Sequence, residues 1–237
     1  MSNKVRSTKK QSLEVIYEDN HIIAVNKRVG DIVQGDKTGD KTLADDVKAY
    51  IKKKYDKPGD VYLGVIHRID RPTSGVVIFA RTSKALERMN ELFRDQKIAK
   101  VYWAVVKNRP EMEEAELDQW MRKNEKQNKS YLCKAGGKGG KNAILSYRLC
   151  GMTDNYWMLE VKPQTGRHHQ IRVQLAALGS PIKGDLKYGA DRSNREGGIH
   201  LHARSISFIH PVKKEEFTLT APVPRESLWG ELDKQMK

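Results

Sequence analysis

The chain has 237 residues, 38% of them hydrophobic, which supports a substantial core in one large domain or two small ones. Its 44 Lys and Arg exceed its 30 Asp and Glu to give a formal net charge of +14, an excess that points to a polyanionic partner. No apolar run approaches the ~20 residues that span a bilayer, and the polar, basic first residues carry no secretory apolar stretch, so nucleic acid is expected in place of membrane, and the cytoplasm as compartment.

Met1 to Ser12 is basic and unpatterned and reads as a flexible arm, with one α+β domain expected over residues 13–228 and a tail over 229–237. Leu13 to Tyr17 and His21 to Val25 flank the turn-forming Glu18-Asp19-Asn20 and predict a hairpin. Thr42 to Tyr55 predicts a helix with Leu43, Val47, Tyr50 and Ile51 on one face, Thr42 as its cap and Lys52, Lys53 and Lys54 at its end. Val61 to Ile66 and Val76 to Ala80 read as short buried strands. Leu86, Met89, Leu92 and Phe93 predict a helix over Lys84 to Asp95, with Thr82 or Ser83 as its cap. Lys100 to Val106 alternates as a strand, with Val101, Trp103 and Val105 facing one way and Lys100, Tyr102, Ala104 and Val106 the other.

Met121 to Lys141 carries seven basic residues to one acidic, with four glycines near its end, and is expected to be a flexible cationic insert. It reads either as a solvated loop or as a clamp in which Lys126, Lys129, Lys134 and Lys138 meet phosphates. Cys133 and Cys150 are too few for a disulfide framework and read as free thiols. Further strands are predicted at Ala143 to Leu149, Tyr156 to Val161, Leu201 to Ile209 and Glu216 to Leu219, and a helix carrying Ile171, Leu175 and Leu178 is predicted to put His168 and Arg172 on one face. Strands that outnumber helices without alternating with them predict a central mixed, mainly antiparallel sheet flanked by helices and loops.

Two constellations carry chemistry. In His67-Arg68-Ile69-Asp70-Arg71-Pro72-Thr73-Ser74-Gly75 an acidic side chain stands between two arginines at the edge of an apolar segment. Guanidinium groups favour the ionised carboxylate, which can then act as nucleophile or base; the alternative is an Asp that caps a turn or pairs on the surface. In Thr165-Gly166-Arg167-His168-His169-Gln170-Ile171-Arg172 the paired histidines invite a zinc reading, but neither Cys forms a C-x-x-C pair or lies beside a His cluster, and hydrogen bonding or phosphate contact is the better use.

The first stretch resembles the H-R-L-D-x-x-T-S-G signature of the RluA-type RNA pseudouridine synthases, with Ile69 in the leucine position. The second resembles that family's T-G-R-x-H-Q-I-R-V-H, with Gln174 where a histidine is usual. Asn26-Lys27-Arg28-Val29-Gly30 resembles N-K-P-x-G with Arg28 replacing proline, and Lys100 to Ala104 resembles K-x-Y-x-A. Gly184-Asp185-x-x-Tyr188-Gly189 and Leu201-His202-Ala203 resemble two later elements, so that the resemblance covers about Leu13 to Leu228.

The resemblance implies a synthase that detaches uracil from ribose in structured RNA and rejoins it through carbon 5. It makes Asp70 the catalytic aspartate, Arg172 its ion-pair partner and Tyr102 the residue that stacks on uracil and assists at carbon 5. Arg68 then enters the RNA where the target leaves its stack, while Arg71, Arg167 and His168 are expected to contact RNA. No cofactor or metal is implied, because the reaction is a rearrangement. The expected partner is a ribosomal or transfer RNA stem-loop, met by a monomer. No S4 domain fits ahead of Leu13, so substrate choice is expected to rest on Met121 to Lys141 and Asp191 to Gly198. The rival readings are an inactive RNA-binding protein of the same fold and a base-removing glycosylase.

Overall fold

The computed structural model describes residues 13–35 and 39–236; the arm predicted over Met1 to Ser12 lies outside them. Local chemistry starts the sheet. Val15–Glu18 (β1) and Ile22–Lys27 (β2) pair antiparallel about a turn in which Asp19 Oδ1 accepts the amides of His21 and Ile22 at 2.8 and 2.9 Å. Leu43–Lys54 (α1) opens on a capping box between Thr42 and Asp45 and buries Leu43, Val47 and Ile51.

Of the strand predicted over Val61 to Ile66, only Gly64–Val65 (β3) pairs, against the end of the wholly buried Ser74–Ala80 (β4). The shortfall has a cause. Along that edge of β4 the His67 ring replaces a strand, its Nε2 accepting the Ile78 amide at 3.1 Å, and the chain turns away to form the loop that carries Asp70. Ser83–Arg94 (α2), capped by Thr82, leads to Ala99–Val106 (β5).

Residues 121–141 correct the expectation of a flexible insert. Glu114–Asn124 (β6) and Lys129–Cys133 (β7) form a hairpin in register from Trp120↔Cys133 to Asn124↔Lys129, and β6 pairs from Glu114 to Met121 with Lys141–Met152 (β8). Ladder hydrogen bonds therefore hold about half of this stretch, and only the turn at 125–128 and the loop at 134–140 lie outside the strands. Trp157–Pro163 (β9), Gln170–Ala177 (α3), a 3-10 turn at Leu186–Tyr188, Leu201–Ile209 (β10), Glu216–Thr220 (β11) and Ser227–Lys234 (α4) complete the chain. The tail expected at 229–237 is corrected likewise: Trp229 and Leu232 of α4 are buried against Trp103, Val105 and Met158.

Among the described residues the strands form one sheet in the order β1-β2-β4-β10-β5-β9-β8-β6-β7, with β11 on β10 and β3 on β4. The fold is α+β with a mixed, mainly antiparallel sheet, as its pattern predicted. Its one parallel seam joins β4 to β10 at Ser74 and Gly75 opposite His202 and Ala203. Gly75 sits there at φ +118°, and a Cβ on it would lie 2.3 Å from the Ala203 carbonyl oxygen. Beside it the Ser74 hydroxyl donates to His202 Nδ1 at 2.9 Å, while His202 Nε2 donates to the Ala221 carbonyl at 3.2 Å.

Gly75→Ala combines an unfavourable backbone conformation with a backbone collision. It is expected to lower stability by about 3 kcal/mol or more, read as the shift of a urea unfolding midpoint. A midpoint unchanged from the parent would show that the seam can open to admit a methyl group.

Candidate active site

Asp70 stands in the loop between β3 and β4, and the loop is pinned on both sides of it. Ile69 is buried, and the Thr73 amide donates to the Asp70 carbonyl at 3.0 Å. Lys27, 1% exposed, donates from Nζ to the carbonyls of Arg28, Arg71 and Thr73 at 2.8, 3.1 and 2.8 Å. Burial pulls this ammonium down to about 8, against the opposing charges of Asp31 and Asp70. Three carbonyl acceptors replace the lost water and make Lys27 the internal clamp of the loop.

The second wall is α3 and the segment before it. Gln170 Oε1 accepts from the Thr165 hydroxyl at 2.8 Å and the Arg167 amide at 3.0 Å, and its Nε2 donates to the Ile144 carbonyl at 3.0 Å, tying the helix start to β8. Gln174, buried in the next turn, donates to the carbonyls of Leu117 and Ala143. Arg172 is thereby aimed at two carboxylates. Its Nε and Nη2 grip Asp185 at 2.7 and 2.8 Å, and its Nη1 donates to Asp70 Oδ2 at 3.1 Å. Burial opposes the Arg172 charge, but the hydrogen bonds and charge of Asp185, with those of Asp70, outweigh it and raise the guanidinium above its ordinary value.

Asp70 and Arg172 open on a cavity of about 310 Å³ that Tyr102, Arg68, Arg167 and Lys100 also line. That volume is at the small end of ligand sites and fits a single base better than a helix. Burial, helped by the negative charge of Asp70, pushes the Tyr102 phenol above its ordinary value, so that it is protonated at neutral pH in the free protein. Burial lowers the Lys100 ammonium.

The other residues singled out from sequence lie further off. Arg71 is exposed and reaches Asp40 at 3.4 Å. His168 is not on the helix face with Arg172 as predicted, because His169 precedes α3 in the left-handed region, φ 57°, and turns the chain before Gln170. It is His169 that reaches the cavity, its Nε2 3.6 Å from Asp70 Oδ2. Lys126, Lys134 and Lys138 are exposed on the β6–β7 turn and the loop after it. Lys129 instead covers the rings of Tyr131 and Tyr188, at 5.4 and 5.0 Å.

Lys27, Lys100, His169, Asp185 and Tyr188 thus stand with Asp70, Tyr102 and Arg172, the three residues that the sequence resemblance gave as catalytic, and with Arg68 and Arg167, which it gave to RNA. Asp185 and Tyr188 carried a signal, their G-D-x-x-Y-G spacing, but nothing local to them indicates Arg172 as partner.

A family model described as RNA pseudouridylate synthase matches residues 21–177. The chain belongs to this family. It is an RluA-type pseudouridine synthase, an isomerase. It is 32% identical to tRNA pseudouridine synthase C of Vibrio vulnificus, over 93% of this chain and 94% of that protein. It is also 32% identical to ribosomal large subunit pseudouridine synthase D of Xanthomonas campestris, over 90% of this chain and 67% of that protein. In fold the synthase is similar to human RNA pseudouridylate synthase domain containing 4, with a TM-score of 0.77 at 24% identity, covering 94% of this chain and 92% of that one.

Because Asp185 takes the fork of Arg172 and Asp70 a single bond, removing the guanidinium should cost about 3 to 5 kcal/mol, chiefly through Asp185. In a double-mutant cycle followed by urea unfolding, Arg172→Met should be much less damaging in an Asp185→Asn background and hardly less so in an Asp70→Asn background. Equal relief from both would refute this ranking.

Burial also holds His67, His169, His200 and His202 neutral, at about 4, 2, 3 and 4. Each takes up a proton on unfolding below its ordinary value of about 6.5, so this stability is complete above that pH and declines as the medium is acidified. The synthase should lose stability between pH 6.5 and 5, with a slope tending to about 1.4 kcal/mol per pH unit for each histidine involved. Urea midpoints that stay level across that interval would contradict it.

Proposed function

We propose that this synthase isomerises selected uridines in a stem-loop of ribosomal or transfer RNA, with Asp70 as the group that acts on the ribose of the target. The observation that carries the reading is a carboxylate 29% exposed toward a base-sized cavity and held from behind by a guanidinium at 3.1 Å. A paired uridine cannot reach such a recess, so the target must leave its stack, with Arg68 at the rim to occupy the space it vacates. The glycosidic bond to N1 breaks, the uracil turns in the cavity, and C1′ bonds to C5, which gives up its proton while N1 gains one. Tyr102 supplies a flat wall for the turning base. Its protonated phenol makes it a stacking surface and donor first, and removal of the C5 proton falls to it only if the reacting base draws its proton away.

Asp70→Asn preserves size and removes only the reacting group. Tritium release from carbon 5 of labelled uridine should fall below about one per cent of the parent, a loss of about 2.7 kcal/mol or more in barrier terms, while RNA affinity stays within a few-fold. Greater residual turnover would remove Asp70 from this role. Free uracil among the products would favour a glycosylase, and binding without tritium release by the parent an inactive relative. Mapping pseudouridines in total RNA from cells with and without the gene assigns the substrate between ribosomal and transfer RNA.

Lys126, Lys134 and Lys138 project from the hairpin turn and the loop beside it, and we assign them to phosphates, with Arg71 and Arg167 nearer the cavity. Replacing the three lysines by Gln should weaken binding to all RNAs alike and reduce the slope of log affinity against log salt by about 0.7 for each single-strand phosphate no longer neutralised. An unchanged slope with altered substrate choice would assign base or shape reading to this surface.

A further inference from the structure

The partners of His169 form a chain of hydrogen bonds with a definite direction. The Ser130 amide on β7 donates to the Tyr188 hydroxyl oxygen at 2.9 Å. The phenol's own proton then needs an acceptor, and among the described residues the remaining partner is His169 Nδ1 at 2.8 Å. Nδ1 therefore offers a lone pair, and the neutral ring carries its proton on Nε2, the nitrogen 3.6 Å from Asp70 Oδ2. The opposite tautomer would leave the phenol proton unpartnered and turn a nitrogen lone pair toward a carboxylate oxygen. Double protonation is opposed by burial and then by the charges of Arg172, His168, Lys187 and Lys123, which together bring this ring to about 2.

The backbone supports a purpose beyond packing. His169 is the N-cap of α3, yet it lies at φ 57° and ψ 24° and its side chain makes no capping bond. An N-cap residue is ordinarily extended and bonds an orphan amide of the first turn. Here that bond is forgone, a left-handed conformation is accepted, and the ring is delivered to Asp70. His168 braces it, stacked at 3.7 Å between centroids and bonded through Nδ1 to the Ser130 hydroxyl at 2.8 Å.

We propose that His169 is a positioning residue for Asp70, held by the β6–β7 hairpin through Ser130 and Tyr188 as the Nε2–H tautomer with that proton aimed at Oδ2. The present separation is longer than a hydrogen bond, and a shift of under about 1 Å as a uridine fills the cavity gives Asp70 a second donor beside Arg172. The inference rests on the reading of Asp70 as the reacting carboxylate.

Nitrogen-15 histidine spectra of the full chain at pH 7 without RNA, with the His169 signals assigned by their loss in His169→Gln, should display the Nε2–H tautomer. In Tyr188→Phe the Nδ1–H form should gain population. An Nδ1–H ring or an imidazolium in the parent overturns the inference. By tritium release, His169→Asn should lose about tenfold to a hundredfold in kcat with little change in KM. His169→Gln, whose amide nitrogen can reach the place of Nε2, should recover several-fold over Asn; equal kcat losses in the two overturn the positioning role. A parent that releases no tritium defeats the assignment of Asp70, and the spectra decide the tautomer independently of that result.

Discussion

One guanidinium bears on two carboxylates from different parts of the chain, and the rest of the site is arranged around that shared charge. Arg172 is 4% exposed and Asp185 1%, so neither is hydrated and each depends on the other for compensation. With Asp185 occupying the fork, Arg172 cannot swing away, and the bond left for Asp70 has a set direction. The Asp70 carboxylate is thus aimed without being enclosed. The rigid pair lies beneath it, and the open side faces the cavity.

Around this centre the protein replaces water by fixed dipoles of known sign. Lys27 closes on three carbonyls, Gln170 bridges β8 to the start of α3, and His202 accepts from Ser74 while donating to Ala221. Such groups need not reorient when a base enters, which is the condition for electrostatic preorganisation. The large positive charge of the chain belongs to a different layer. Arg68, Arg71, Arg167, Lys126, Lys134 and Lys138 stand exposed on turns and loops, apart from the neutral or paired groups inside.

Local patterns are legible in proportion to how local their causes are. The capping box of α1, the Thr82 cap of α2 and the Asp19 turn can be read from sequence because each is built within four residues. The pairing of Asp70 with Arg172 comes through family resemblance, since nothing within either segment states where the other lies. The β6–β7 hairpin is obscured by its composition, because lysines and an exposed face mask the alternation that puts Leu117 and Met121 inward. Helix α4 escapes a reading of periodicity because its buried side, Trp229 and Leu232, is a single pair on eight residues. The second role of Arg172 is hidden for another reason: a buried Asp and an exposed one look alike in sequence, and only burial shows which takes the stronger share.

The parallel seam between β4 and β10 also bears on how the protein comes into being. Ser74 and His202, bonded across it, are 128 positions apart in the chain, and Asp70 and Arg172 are separated by 102. During synthesis the loop that carries Asp70 leaves the ribosome long before the strand that seats it, so the emerging N-terminal half presents a buried-type strand with an unfilled edge. Closure of so long a loop is entropically slow, and the last rather than the first part of translation sets when the cavity exists. Fragments that stop before β10 would contain Asp70, Tyr102 and Arg172 and still lack the partner strand that gives them their geometry.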